Sequence, residues 1–303
     1  MKPARHLPFY QQMTGLLRNA FTLLEEEGWE EVMHFVVSQQ NPDGGFQDRG
    51  GRSDLYYSLF GWMMLNAMES EVRSPKSEAT LPEPFEGNPQ PATRNPKHLF
   101  QQFISTQSTS EVPGFIERCC LVLLQKDLKA GWYLRLKPLW SLGLSFWKER
   151  YSINLSYRSF VLFLTLEAVL PFSGILKSAA KRMLLQTHVD ENSPCSEVAA
   201  KVFLEKMMNR DGSGDQELLK SFACESGGFK AFQHLQNADM LSTAVSLFAL
   251  NFAKSDLRLF KPACLDFIQE NYANGAFLSG DGDLTEDLEY TFYGLLALGV
   301  LSN

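Results

Sequence analysis

The amino-acid sequence predicts an all-α protein of about five to six helical hairpins set in two concentric layers. Three observations carry this expectation. A short motif repeats three times, apolar residues recur at helical spacing around each copy, and nothing alternates convincingly at period two, so strands should be few.

The first copy reads Asn41-Pro-Asp-Gly-Gly-Phe46, then Asp54-Leu-Tyr-Tyr-Ser58, then Leu65. The second is Ser226-Gly-Gly-Phe229, Asp239-Met-Leu-Ser-Thr243 and Leu250; the third is Asn274-Gly-Ala-Phe277, Asp287-Leu-Glu-Tyr-Thr291 and Leu298. In every copy Ser or Thr stands four residues after the acid and Leu eleven residues after it. Each unit therefore reads as helix, glycine turn, loop, helix. Residues 29–40 and 257–271 have the apolar spacing of the first helix, and the glycines after them permit the left-handed conformation that ends one. Asp54, Asp239 and Asp287 open the second helix, where a carboxylate can accept from free backbone amides and complement the helix dipole.

The helices that follow these acids, 54–68, 238–252 and 284–301, are apolar on most faces, which suits an inner ring that is either buried all round or lines an apolar cavity. Further helices are expected over 99–105, 115–125, 139–147, 155–169, 176–186 and 198–208, with Ala130-Gly-Trp132 as a decayed turn. Counted as degenerate hairpins, they supply enough pairs to close a two-layered ring rather than an open solenoid. Residues 71–97 break the pattern. Pro75, Pro82, Pro84, Pro89, Pro91 and Pro96 deny this insertion a regular helix, leaving a long loop within a single domain spanning 1–303.

A formal net charge of -7 gives no general attraction for nucleic acid or anionic lipid. No secretory signal is expected over the first twenty residues, and the apolar stretch 159–176 is interrupted by Glu167 and Pro171, so a cytoplasmic protein without a transmembrane segment is expected. The five cysteines, Cys119, Cys120, Cys195, Cys224 and Cys264, lack CxxC spacing and read as small core residues of a reducing compartment. The five histidines are scattered without metal-ligand spacing.

The glycine turns together with DLYYSLFGWMML, ADMLSTAVSLFAL and EDLEYTFYGLLAL resemble the repeats of squalene-hopene, oxidosqualene and class II diterpene cyclases and of protein prenyltransferase β subunits. Clear matches cover roughly a third of the chain. The segment from Gln39 to Phe46 also looks like the glutamine-to-aromatic motif that ties helices to turns in the cyclases. The resemblance implies an α/α toroid around a cavity that accepts an isoprenoid or similarly apolar molecule. Tyr56, Tyr57, Phe60, Trp62, Phe248, Tyr290, Phe292 and Tyr293 recur on the expected inner helices and could line it, where aromatic faces stabilise carbocations; plain core packing is the alternative.

The chain departs from both families' catalytic signatures. Where the zinc prenyltransferases place Asp, Cys and His, this sequence has Asp239, Leu241 and Tyr290, which argues against zinc. Where the cyclases carry Asp-x-Asp-Asp, only Asp239 and the following Thr-Ala match, with Leu241 and Ser242 in place of the other acids. Glu289 occupies the middle-acid position in the last repeat, near Asp287, Asp283 and Asp281, and neighbouring carboxylates in an apolar cavity can keep a proton on one of them. A solvated acidic turn is the plainer reading of the same run. It is no EF-hand, because Glu286 stands where that loop needs glycine and Phe292 where it needs glutamate.

The expected activity is thus terpenoid-cyclase-like or prenyltransferase-like, with Glu289 or one of the repeat acids Asp54, Asp239 and Asp287 moving a proton. No cofactor is required, and Mg2+ would enter only with a diphosphate substrate, toward which Arg49, Arg52, Arg94, Lys97, Lys230 and His234 are the candidate cations. The alternative is a non-catalytic toroid that binds a partner protein, peptide or lipid. By analogy with the resembled families, a lone toroid calls for a helical partner subunit or for self-association.

Overall fold

The computed structural model describes residues 9–72, 96–107, 114–128, 142, 155–169 and 188–302. Eleven helices lie among them: α1 (Phe9–Leu23), α2 (Glu26–Ser38), α3 (Leu55–Val72), α4 (Pro96–Gln107), α5 (Phe115–Asp127), α6 (Leu155–Val169), α7 (Cys195–Met207), α8 (Ser213–Lys220), α9 (Met240–Ala253), α10 (Lys261–Glu270) and α11 (Leu288–Leu301). Four two-residue strands pair as antiparallel hairpins, β1 (Phe46–Gln47) with β2 (Ser53–Asp54) and β3 (Tyr272–Ala273) with β4 (Ala276–Phe277). The chain is all-α, as expected. Expected helices over 139–147 and 176–186, the Ala130-Gly-Trp132 turn and most of the proline-rich insertion lie outside the described residues. Pro96 belongs to helix rather than to the insertion: it opens α4, at the one end of a helix where a missing backbone N–H costs nothing.

The six helices with the most buried residues pack in sequence. α3 contacts α5, α5 contacts α6, α6 contacts α7, α7 contacts α9, α9 contacts α11, and α11 returns to α3. α4 lies between α3 and α5, α8 between α7 and α9, and α10 between α9 and α11, whereas α5, α6 and α7 follow one another among the described residues. α2 buries Val32, Met33, Phe35 and Val36 while Glu31 and His34 face solvent, and α10 buries Cys264, Phe267 and Ile268.

Each repeat builds one joint from an amphipathic helix into an apolar one. The turn phenylalanines Phe46, Phe229 and Phe277 are buried, and their amides donate to Ser58 Oγ (2.9 Å), Thr243 Oγ1 (2.8 Å) and Thr291 Oγ1 (3.1 Å). Thr243 and Thr291 in turn donate to the carbonyls of Asp239 (2.7 Å) and Asp287 (2.8 Å). That exchange explains the hydroxyl four residues after each acid: it satisfies a buried N–H that has no place in the short hairpin.

The turn glycines Gly44, Gly227 and Gly275 have φ of 96°, 96° and 83°. A Cβ on them would lie 2.2 Å from Leu99 O in α4, 2.0 Å from Ala263 O in α10 and 2.2 Å from Glu31 O in α2. The first two turns thus lean on the next amphipathic helix along the chain, and the last leans on the first one.

Helix α1 had no expectation attached to it. Its first turn meets the last turns of the apolar helices: Phe9 N donates to Glu167 Oε2 of α6 (3.1 Å), and Tyr10 OH donates to Asp127 of α5 (2.5 Å). The Phe9 ring packs edge-on against Phe203 (4.5 Å) and Phe252 (4.7 Å), and Gly299 of α11 lies against the Leu16 carbonyl. α1 therefore lies across the C-terminal ends of α5, α6, α7, α9 and α11, and their N-terminal ends point to the opposite side.

Candidate functional site

α1, α3, α5, α6, α7, α9 and α11 enclose a cavity of about 330 Å³, at the low end of the range for small-molecule sites. Tyr56, Phe60, Phe248, Phe292 and Tyr293 line it. Phe60 stacks on Phe292 (4.4 Å between centroids) and meets Tyr56 edge-on (4.5 Å), while Phe248 stacks on Phe203 (5.4 Å). Tyr56, Phe60 and Met63 form one α3 stripe at helical spacing, and Trp62 falls off it. Instead of lining the cavity, Trp62 stacks on Phe100 of α4 (4.7 Å, 8° between planes) beneath the Lys97 ammonium (5.3 Å). Tyr57 and Tyr290 also stand outside the lining, beside Arg49.

The three repeat acids cap helices. Asp54 Oδ1 accepts from the amides of Tyr56 (2.7 Å) and Tyr57 (3.0 Å), Asp239 Oδ1 from Ser242 (2.8 Å), and Asp287 Oδ1 from Glu289 (2.6 Å) and Tyr290 (3.3 Å). Among the described residues Asp239 Oδ2 is buried without a hydrogen bond, and burial raises that carboxyl's pKa. The second oxygen of Asp287 accepts from Arg49 Nε at 2.5 Å, while Arg49 also bridges to Asp283 (3.0 Å) and lies over the Tyr290 ring (5.2 Å). Arg49 is thus committed to carboxylates and its guanidinium is held protonated, chiefly by the Asp287 bond.

Glu289 stands on the first turn of α11. Its Oε1 accepts from Tyr56 OH at 2.7 Å and its Oε2 from Tyr57 OH at 3.4 Å, while Tyr56 OH lies 3.3 Å from Tyr293 OH. Burial raises the Glu289 pKa against the opposing pull of the Tyr56 hydrogen bond, and burial likewise keeps the Tyr56 and Tyr293 phenols protonated. Glu289 does not itself line the cavity; the Tyr56 side chain does. A protonated Glu289 could pass its proton to Tyr56 as the phenol gives its own to a bound molecule, so acid and cavity are joined by one hydroxyl.

Sequence reasoning missed Glu197, Tyr157 and Tyr10, all of which line the cavity. Glu197 lies in the first turn of α7, one helical turn before Ala200, where an acid ordinarily reads as a solvated partner of the helix dipole. Tyr10 belongs to α1, and its spacing with Met13 and Leu17 was the available signal. Among the described residues no group of three or more His, Cys, Asp or Glu could hold a metal ion, and no helix is long and apolar enough to cross a membrane. The described cysteines are all free, and Cys119 and Cys120 form part of the cavity wall.

Comparison with protein-family models, with curated proteins and with solved structures gives no match for this chain. Its function is therefore argued from the site alone.

Proposed function

We propose that the chain is an α/α toroid whose central cavity binds an isoprenoid or similarly apolar molecule and acts on it by acid-initiated cyclisation or a related carbocation reaction. The ring reading is supported by the return of α11 to α3 and by the last glycine turn leaning on α2. Six apolar helices would form its inner layer, with the amphipathic helices outside and α1 as a floor.

One observation carries the chemical reading: an apolar, aromatic-walled cavity contains a phenol, Tyr56, bonded at 2.7 Å to the half-buried carboxyl of Glu289. Glu289 is the acid and Tyr56 its relay to the substrate. The faces of Phe60, Phe248 and Phe292 stabilise the cation that protonation of an alkene creates. Asp287 positions Glu289 through the helix cap and holds Arg49 away from it. Asp54 and Asp239 are structural caps in this account. Zinc has no role, and Mg2+ enters only if the substrate carries a diphosphate.

The indirect access of Glu289 favours a second reading, in which the same toroid binds an apolar ligand or a partner without turning it over. Incubation with farnesyl and geranylgeranyl diphosphate, squalene and oxidosqualene, followed by mass spectrometry, separates the two. The enzyme reading expects a cyclised or rearranged product that Glu289→Gln abolishes while the variant still folds. Turnover that survives this substitution would remove Glu289 from the mechanism, and absence of any product would leave the binding reading.

A further inference from the structure

The polar groups of the cavity wall are nearly all used by the protein itself. Tyr10 OH donates to Asp127, Tyr56 OH donates to Glu289, and Tyr293 OH lies beside Tyr56 OH. Glu197 is different. It is 9% exposed, it is the one carboxylate among the described lining residues, and no hydrogen bond or ion pair to its carboxyl lies among the described residues. Its carboxyl oxygens keep some accessible surface, so they are open to a hydrogen-bonding group that enters from outside the protein. Burial raises its pKa, and in either charge state the carboxyl can accept a hydrogen bond from a donor.

We infer that Glu197 is a ligand-binding residue, and that the cavity takes a long apolar molecule ending in one hydroxyl, which exchanges hydrogen bonds with the Glu197 carboxyl. This rests on the reading of the cavity as an isoprenoid site and adds the end group to it. A neutral alcohol suits the position because its hydroxyl donates to the carboxyl in either charge state and brings no second charge into the cavity. An ammonium would bring a second charge that must be stripped of water, and a carboxylate would meet the like charge of an ionised Glu197. The apolar body would lie along Phe203, Phe248 and Phe60, on the side of the cavity away from Glu197.

The test is calorimetric titration of the full chain with farnesol and with farnesene, the same carbon skeleton without the hydroxyl, each delivered from cyclodextrin. Wild type should bind the alcohol about tenfold tighter or more. Glu197→Gln should keep that preference, because the amide also donates and accepts. Glu197→Leu should bind both ligands with similar affinity and bind the hydrocarbon at least as tightly as wild type does. Equal binding of the two ligands by wild type, or a preference that survives Glu197→Leu, overturns the inference while leaving the apolar site intact. Failure of wild type to bind either ligand overturns the cavity reading and this inference with it, provided thermal denaturation shows a folded protein.

Discussion

Thr243 serves two bonds at once, accepting from the Phe229 amide and donating to the Asp239 carbonyl. Replacing it with Val keeps the shape but leaves the buried amide without an acceptor, a loss of about 1–3 kcal/mol. Thr243→Val should therefore lower the midpoint of urea unfolding without changing its slope; an unchanged midpoint would mean that the hydroxyl is incidental. The spacing of acid and hydroxyl was readable in the sequence, but its purpose was not, since the donor belongs to a turn fourteen residues away. The reverse holds for Asp54, Asp239 and Asp287: their capping role was legible because it is local, and it leaves them little freedom for chemistry. Glu197 stayed invisible because nothing local distinguishes a first-turn acid that faces solvent from one that faces a cavity. Trp62 was misplaced for a related reason: on a helix apolar all round, periodicity cannot say which face turns inward.

Among the helices, those flanked by a glycine turn or an acid cap were legible, and so were α4, α5, α6 and α7 from apolar spacing alone; α1 and α8 were not. α1 carries an apolar stripe of Phe9, Met13, Leu17 and Phe21 but no turn motif, and the eight-residue α8 is too short for periodicity to identify. α8 is held to α7 by charge. Lys201 pairs with Asp215 at 2.8 Å, and beside them burial and the nearby Asp215 push the Glu205 carboxyl up to about 7. Because that folded value lies above the ordinary 4.5, the native state holds a proton that the unfolded chain has lost. Stability linked to Glu205 is thus fully present below about pH 4.5, falls as pH rises toward 7, and stays lost above it. Glu205→Gln should raise the melting temperature more at pH 8 than at pH 5. An equal shift at both values would show that Glu205 titrates normally.

At the scale of the whole molecule, the first and last repeats are tied twice: by Gly275 against the α2 backbone, and by Arg49 reaching Asp283 and Asp287. In the proposed ring, closure of this kind would remove the exposed end faces that an open helical solenoid must cap. The sequence points to closure through its count of about five to six helical hairpins, enough pairs for a two-layered ring. The floor made by α1 and the partial screening of Glu289 by Tyr56 depend on contacts between distant segments, which no single repeat encodes.

The central claim is that the enclosed cavity, and no surface patch, holds an apolar molecule. It is tested most directly by the binding isotherm of a fluorescent isoprenoid to wild type and to Ala200→Phe, a substitution that fills the cavity from the buried wall of α7. The account predicts saturable binding of one ligand per wild-type chain, and at least tenfold weaker binding to a folded Ala200→Phe variant, because the added ring occupies the ligand's volume. Equal affinity for the two proteins would place the ligand elsewhere and contradict the account.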